Sequence, residues 1–221
     1  MDSQIEAFLA ISGDFLDRKF SLLFGVHNRS MEKRMKIGVM GAQGSFSEQA
    51  GRVFAKKFLK KKQCEIMYLI TADATLAALD AGEIDTAILA IENSTMGVVE
   101  SSIRAMAQHV FSIQKIFSIA VPHCLLVKRG VTRREIKTIV SQDPAIQQCK
   151  KYLTKKWPKM KLRRYEDTAK AAHDLAQGTL AASCAVIASK SAARAYGLKV
   201  LEKSIQDLKS NKTTFIAAIK P

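Results

Sequence analysis

Short apolar runs rich in β-branched residues alternate with helix-like segments, and the alternation occurs twice along the 221 residues. Residues 36–40, 64–70 and 86–91 read as strands in the first half, separated by segments at 45–59 and 72–81 that read as helices. Residues 136–140, 160–165 and 185–188 repeat that order, separated by helices at 145–156 and 168–177. Ser45 and Glu48 have the spacing of a capping box, so a helix starts at Ser45, and Gly82 and Gly178 stop two others. The long apolar stretch 113–127, broken by Pro122, reads as one or two strands, and 213–219 as a final return strand. Asn93 follows Gly82 by eleven residues and Ser189 follows Gly178 by eleven, each beyond a predicted strand. Strands joined through helices pair in parallel, so the pattern predicts an α/β protein with two largely parallel sheets. Ligands of such sheets bind beyond the carboxyl ends of strands, beside helix N-termini; two lobes facing each other therefore make a cleft suited to an anion.

Charge narrows the partners. Lys and Arg total 35 against 20 Asp and Glu, a formal net charge of +15. Residues 1–34 carry five basic and five acidic side chains, so the whole excess belongs to 35–221. The densest basic cluster, 150–164, interleaves only Tyr152 and Trp157, with Tyr165 next to it, and no zinc-finger or RNA-binding motif occurs. Solvated helix faces and a positive field that gathers small anions explain the excess better than nucleic acid does. No run of about 18 apolar residues exists to span a membrane. The N-terminus lacks the basic start of a signal peptide, which makes the cytoplasm the expected compartment. Four widely spaced cysteines and four histidines without ligand spacing point to no metal, and the histidines read as structural. There is no P-loop, and the glycines at 38, 41 and 44 do not have dinucleotide-binding spacing.

The remaining candidates are neutral and polar: Ser45, Asn93, Ser94, Ser141, Gln148, Thr168, Asn211 and Thr213. Each type commonly serves as a cap or turn residue, but most of these fall at strand–helix junctions that converge on one cleft. Glu92 reads equally as a general base or as a carboxylate anchored near a strand end.

Five motifs in order then match a known family. Gly44-Ser-Phe-Ser-Glu-Gln-Ala50, Ile91-Glu-Asn-Ser-Thr-Met-Gly97, Gln147-Gln-Cys149, Tyr196-Gly-Leu-Lys-Val-Leu201 and Asn211-Lys-Thr-Thr-Phe215 resemble prephenate dehydratase. The resemblance implies a two-lobed, periplasmic-binding-protein-like (type II) fold. It implies a cofactor-free lyase of phenylalanine biosynthesis that removes CO2 and water from prephenate to give phenylpyruvate, and a homodimer without nucleic-acid or membrane partners. Thr213 matches the family's catalytic threonine. Asn93, Ser141 and Gln148 match substrate contacts, Ser45 and Ser94 fit as pocket donors, and Thr168, which matches a loop threonine, and Phe215, which closes the final motif, are expected to bind substrate with them.

The matches imply a domain over 35–221, with one lobe at about 35–115 plus 206–221, the other at about 116–205, and residues 1–34 as an N-terminal extension. Neither the family's phenylalanine-sensing ACT domain nor a chorismate-mutase segment is expected, which implies a free-standing catalytic unit. Thr214 stands where the family motif has arginine, Ala90 where it has proline, and Ser141-Gln-Asp-Pro144 where it has Ser-His-Pro-Gln. The lost arginine opens two related readings, an arogenate dehydratase and a prephenate decarboxylase; a non-catalytic anion-binding module of the same fold is a third.

Overall fold

Most elements that carry a candidate residue are fixed by a strand pairing or a helix cap. The computed structural model describes residues 34–60 and 63–221; the expected extension at 1–34 lies, up to Lys33, outside the described residues. Strand β1 (Met35–Val39) buries Ile37 and Val39 completely and pairs in parallel with β2 (Cys64–Tyr68) and β3 (Thr86–Asn93). Helix α1 (Phe46–Phe54) begins at Ser45, whose hydroxyl accepts the Glu48 N–H at 3.1 Å. The Glu48 carboxylate reaches back one residue further than a capping box requires, to the Gly44 N–H. The helix expected to continue to residue 59 instead widens into a π-turn, Ala55–Leu59, and Phe58 there packs against Phe54 and Phe117.

Helix α2 (Ala72–Asp80), capped by Thr71, covers the opposite face of the same sheet with α3 (Glu100–Met106). The short β4 (Gly97–Val98) folds back on β3. Strand β5 (Ser112–Ala120) forms the far edge, and the last strand, β11 (Lys212–Ile219), inserts between β3 and β5, antiparallel to both. The sheet order is β2-β1-β3-β11-β5.

The second sheet comprises β6 (Cys124–Val127), β7 (Thr138–Ser141), β8 (Lys161–Arg164), β9 (Cys184–Ala188) and β10 (Lys199–Glu202), in the order β8-β7-β9-β6-β10. Helices α4 (Asp143–Gln148) and α5 (Lys150–Lys156) cover one face, and α6 (Thr168–Gln177) and α7 (Lys190–Ala195) the other. In both sheets the parallel strands therefore run second, first, third, followed by a reversed strand, β11 or β6, and an edge strand, β5 or β10. This doubled order is the two-lobed, periplasmic-binding-protein-like (type II) architecture, and it makes Asn93 and Ser189 topological equivalents at the ends of β3 and β9. Among the described residues no helix is long and apolar enough to cross a membrane.

Two expectations are corrected. The first lobe does not end near 115, because β5 pairs with β11 along its whole length, from Ser112 opposite Ile219 to Ala120 opposite Lys212. The expected helix 145–156 is broken at Cys149. There the Gln148 carbonyl accepts the Asp207 N–H at 2.7 Å, and the Asp207 carboxylate accepts the N–H groups of Lys151 and Tyr152 at 2.8 and 3.0 Å. Asp207 thus starts α5 as a cap would, from a distant segment.

The chain crosses between lobes at 121–123 and again at 203–211, and the crossings are hydrogen-bonded: Val121 N–H to Asn211 C=O at 3.0 Å and Ile205 N–H to His123 C=O at 2.9 Å. The loop before α1 also touches the second lobe. Its Gly44 and Gln43 carbonyls accept from the Ser189 hydroxyl at 2.6 Å and the Tyr196 hydroxyl at 2.7 Å. Gly44 has φ +83°, and a Cβ there would lie 2.7 Å from the Ala192 Cα. Gly44→Ala should cost about 2 kcal/mol through both effects, lowering the urea midpoint at an unchanged m-value.

In the second lobe, the buried Asp174 carboxylate accepts from the Tyr165 hydroxyl at 2.6 Å and the Lys170 ammonium at 2.9 Å, and lies 2.8 Å from His173 Nδ1. The Tyr165, His173 and Lys170 bonds hold it far below the usual carboxylate pKa. Stabilisation of this sign is complete above the unfolded-state pKa of about 4 and is lost as the pH falls toward the folded value. Asp174→Asn should therefore lower Tm at pH 7, and the gap to the unsubstituted protein should narrow below about pH 4.

Candidate active site

β3 and β11 end side by side, and their register sets Asn93 directly opposite Thr213. The Asn93 carboxamide organises what surrounds it. Its NH2 group donates to Thr213 Oγ1 at 2.9 Å, Asn211 Oδ1 at 2.9 Å and the Lys212 carbonyl at 3.1 Å. Its oxygen accepts the backbone N–H groups of Thr95 and Met96 at 3.0 and 3.1 Å and the Thr95 hydroxyl at 2.7 Å. Ser94 closes the edge, its hydroxyl accepting the Lys212 N–H at 3.0 Å.

The second lobe contributes Gln148, at the end of α4. Its amide nitrogen donates to Asn93 Oδ1 at 3.2 Å and Thr95 Oγ1 at 3.0 Å, while its oxygen accepts from Asn211 Nδ2 at 3.1 Å and lies 2.6 Å from His123 Nε2. Gln148, Asn211 and Thr95 also line a cavity of about 270 Å³. The cluster has one chemically distinctive member. Because Asn93 donates into Thr213 Oγ1, it polarises that hydroxyl, and the hydroxyl proton has no acceptor among the described residues. A threonine so placed can donate to an oxygen that is acquiring negative charge.

A larger cavity, about 650 Å³, lies between the lobes. Ser45, Phe46 and Ser47 line it at the start of α1, and Asp167 and Thr168 at the start of α6, so two helix N-termini face it and favour an anion. Glu166 and Lys170 also line it, but the Lys170 ammonium is paired with Asp174. Phe46 lies between cavity and cluster, its ring 5.5 Å edge-on from that of His123.

The candidate residues thus separate into groups. Asn93, Ser94, Gln148 and Thr213 come together with Asn211, while Ser45 and Thr168 face the larger cavity. Two do neither. Ser141 was expected to contact substrate, but it is fully buried and its hydroxyl donates to the Ile187 carbonyl at 2.7 Å, tying β7 to β9. Phe215 was expected in the pocket, but it lies in the core under α1, stacked 6.0 Å from Phe117, because it falls on the core-facing side of β11. Glu92 is exposed and paired with Thr214, so strand alternation turns both away from the Asn93 cluster. The Thr214 hydroxyl sits 3.1 Å from that of Ser118. Whatever an arginine at 214 would do, it would do on that other face.

The sequence reads His123 as structural, with no part in the site, and assigns nothing to Thr95. Thr95 belongs to a motif that was recognised, and its position two residues after Asn93 was the available signal. His123 carried none, since its partner lies in the other lobe. Burial pushes its pKa down and keeps the imidazole neutral. Burial likewise pushes the Cys149 thiol up to about 12, so it stays protonated beside the cluster.

Known proteins place this architecture. The prephenate dehydratase family model matches residues 37–220. The arogenate dehydratase/prephenate dehydratase 2 of Arabidopsis thaliana, a chloroplastic protein, is 33% identical over 183 residues, covering 83% of this chain and 46% of its own length. The prephenate dehydratase of Arthrobacter aurescens, solved in complex with L-Phe, superposes with a TM-score of 0.76 at 25% identity, covering 85% of this chain and 61% of that one. The quorum-quenching acylase GqqA superposes with a TM-score of 0.70 at 25% identity, covering 84% and 64%. The chain thus spans about half the length of its Arabidopsis relative. With the family match running from β1 to the end of β11, the chain belongs to the prephenate dehydratase family.

Proposed function

We propose that this chain is a prephenate dehydratase, acting in the cytoplasm as a homodimer, without a nucleic-acid or membrane partner. The observation that carries the reading is the Thr213 hydroxyl, polarised by Asn93 and without an acceptor among the described residues, where groups of both lobes meet. The positive field and the helix N-termini gather the dicarboxylate. As the ring carboxylate leaves as CO2, its bonding pair moves into the ring and expels the ring hydroxyl. Thr213 hydrogen-bonds to, or protonates, that departing oxygen, and aromatisation supplies the driving force. Asn93 holds Thr213, and the Ser94 and Gln148 side chains beside it are neutral and do not repel the substrate's charges. Ser45 and Thr168 serve at the cavity face. The long edge strand β5, with Ile113 and Ile116 about half exposed, supports self-association.

Thr213→Ala should lower kcat by about 10²- to 10⁴-fold while the far-UV circular dichroism stays unchanged, and Thr213→Ser should restore part of it. Phenylpyruvate absorbance in base provides the assay. A folded, fully active Thr213→Ala variant would refute the assignment.

A second reading has its own support. Glu166 and Asp167 border the larger cavity and suit the ammonium group that distinguishes arogenate from prephenate, and the Arabidopsis relative carries both activities in its name. Steady-state comparison of the two substrates decides. A kcat/KM at least about tenfold higher on arogenate, which corresponds to about 1.4 kcal/mol of differential binding, selects that reading; a ratio favouring prephenate selects the first. GqqA shows that this fold is compatible with an acylase name, so absence of turnover on both substrates would redirect the search to acyl compounds.

A further inference from the structure

One buried titratable side chain touches the cluster without a part in the proposed chemistry. His123 lies in the first crossing between lobes and is 3% exposed. Its Nε2 is 2.6 Å from Gln148 Oε1. That oxygen is an acceptor, since the Gln148 nitrogen is committed to Asn93 and Thr95, so Nε2 carries the proton. The other ring nitrogen, Nδ1, is buried with no hydrogen-bond partner among the described residues. An apolar side chain of similar size would avoid that unsatisfied acceptor, so a histidine here is costly unless the bond at Nε2 matters.

We propose that His123 is a positioning residue that sets the orientation of the Gln148 carboxamide. With the imidazole donating to Oε1, the amide nitrogen must face Asn93 and Thr95. A flipped carboxamide would set its oxygen against Asn93 Oδ1, two acceptors with no proton between them. The Asn93 oxygen would lose its donor from the second lobe, and the carboxamide that holds Thr213 would no longer be braced across the cleft. Asn211 Nδ2 supplies a second, longer donor to the same oxygen at 3.1 Å, so losing His123 loosens the carboxamide without freeing it. The inference rests on the dehydratase reading only for its kinetic consequence; the orientation of Gln148 is observable without turnover.

Three variants test it: His123→Leu, which removes the donor; His123→Gln, whose amide N–H can take the place of Nε2–H; and Gln148→Ala. His123→Leu should keep or raise Tm, yet lower kcat/KM by about 10- to 100-fold. His123→Gln should recover most of the loss. In the Gln148→Ala background, adding His123→Leu should change kcat/KM by less than about twofold, because the histidine acts through the glutamine. Independently, the Gln148 side-chain amide resonances in ¹H–¹⁵N spectra should shift in His123→Leu and return toward their original positions in His123→Gln, and imidazole ¹⁵N shifts should report the Nε2–H tautomer. A folded His123→Leu with unchanged kcat/KM, or additivity with Gln148→Ala, overturns the proposal. If the unsubstituted chain turns over neither substrate, the dehydratase reading fails, and the amide resonances alone decide: unmoved resonances in His123→Leu refute the orientation role, and shifted ones uphold it.

Discussion

The site depends on one register. Thr213 sits opposite Asn93 only because β11 inserts between β3 and β5 with the pairing that sets Phe215 against Phe117 and Ala217 against Ile88, and then shifts by one residue against β3 between Phe215 and Thr214. A slip of one residue would turn Thr213 away from the cluster and push Phe215 out of its core beneath α1. Apolar packing at 215 and 217 therefore holds the position of a hydroxyl at 213. The buried Phe215 contributes to the chemistry by this route, although it makes no contact with the cluster.

The hydrogen bonds that fasten the second lobe to this arrangement come from neutral polar groups. Gln148 reaches Asn93, Thr95 and Asn211, and Ser189 and Tyr196 hold the loop before α1. Such bonds exchange readily with water, since a hydrogen bond's net contribution is only about 1 kcal/mol. A lobe contact built this way suits a cleft that admits a ligand and closes over it. The net charge of +15 plays a different part. It sits on exposed faces and attracts anions at a distance, whereas the side chains bonded around Thr213 and Asn93 are those of Thr95, Gln148 and Asn211, all neutral.

Much of this was legible in the sequence where the signal was local. The strand–helix alternation, the cap at Ser45 and the stop at Gly178, which has φ 89°, appear where expected. The Asn93, Gln148 and Thr213 motifs did converge. Features set by distant segments were not legible. The break at Cys149 needs the Asp207 carboxylate from the return crossing, and β5 belongs to the first sheet only because β11 arrives to pair with it. Ser141 misled for a related reason: a hydroxyl at a strand end looks available until the neighbouring strand offers a carbonyl. His123 was passed over because histidine spacing is a test for metal ligands and says nothing about a carboxamide in the other lobe.

The position of β11 also bears on the order of folding. The second sheet is drawn from one continuous stretch, residues 124–202, and can complete itself as soon as that stretch is available. The first sheet cannot. Its β3 and β5 have no contact ladder with each other, and both wait for residues 212–219 to fill the gap. Until then two strand edges stand open in the first lobe, while the other lobe already has all its strands. The segment that completes the first lobe also delivers Thr213, so one strand completes both the first sheet and the cluster around Asn93.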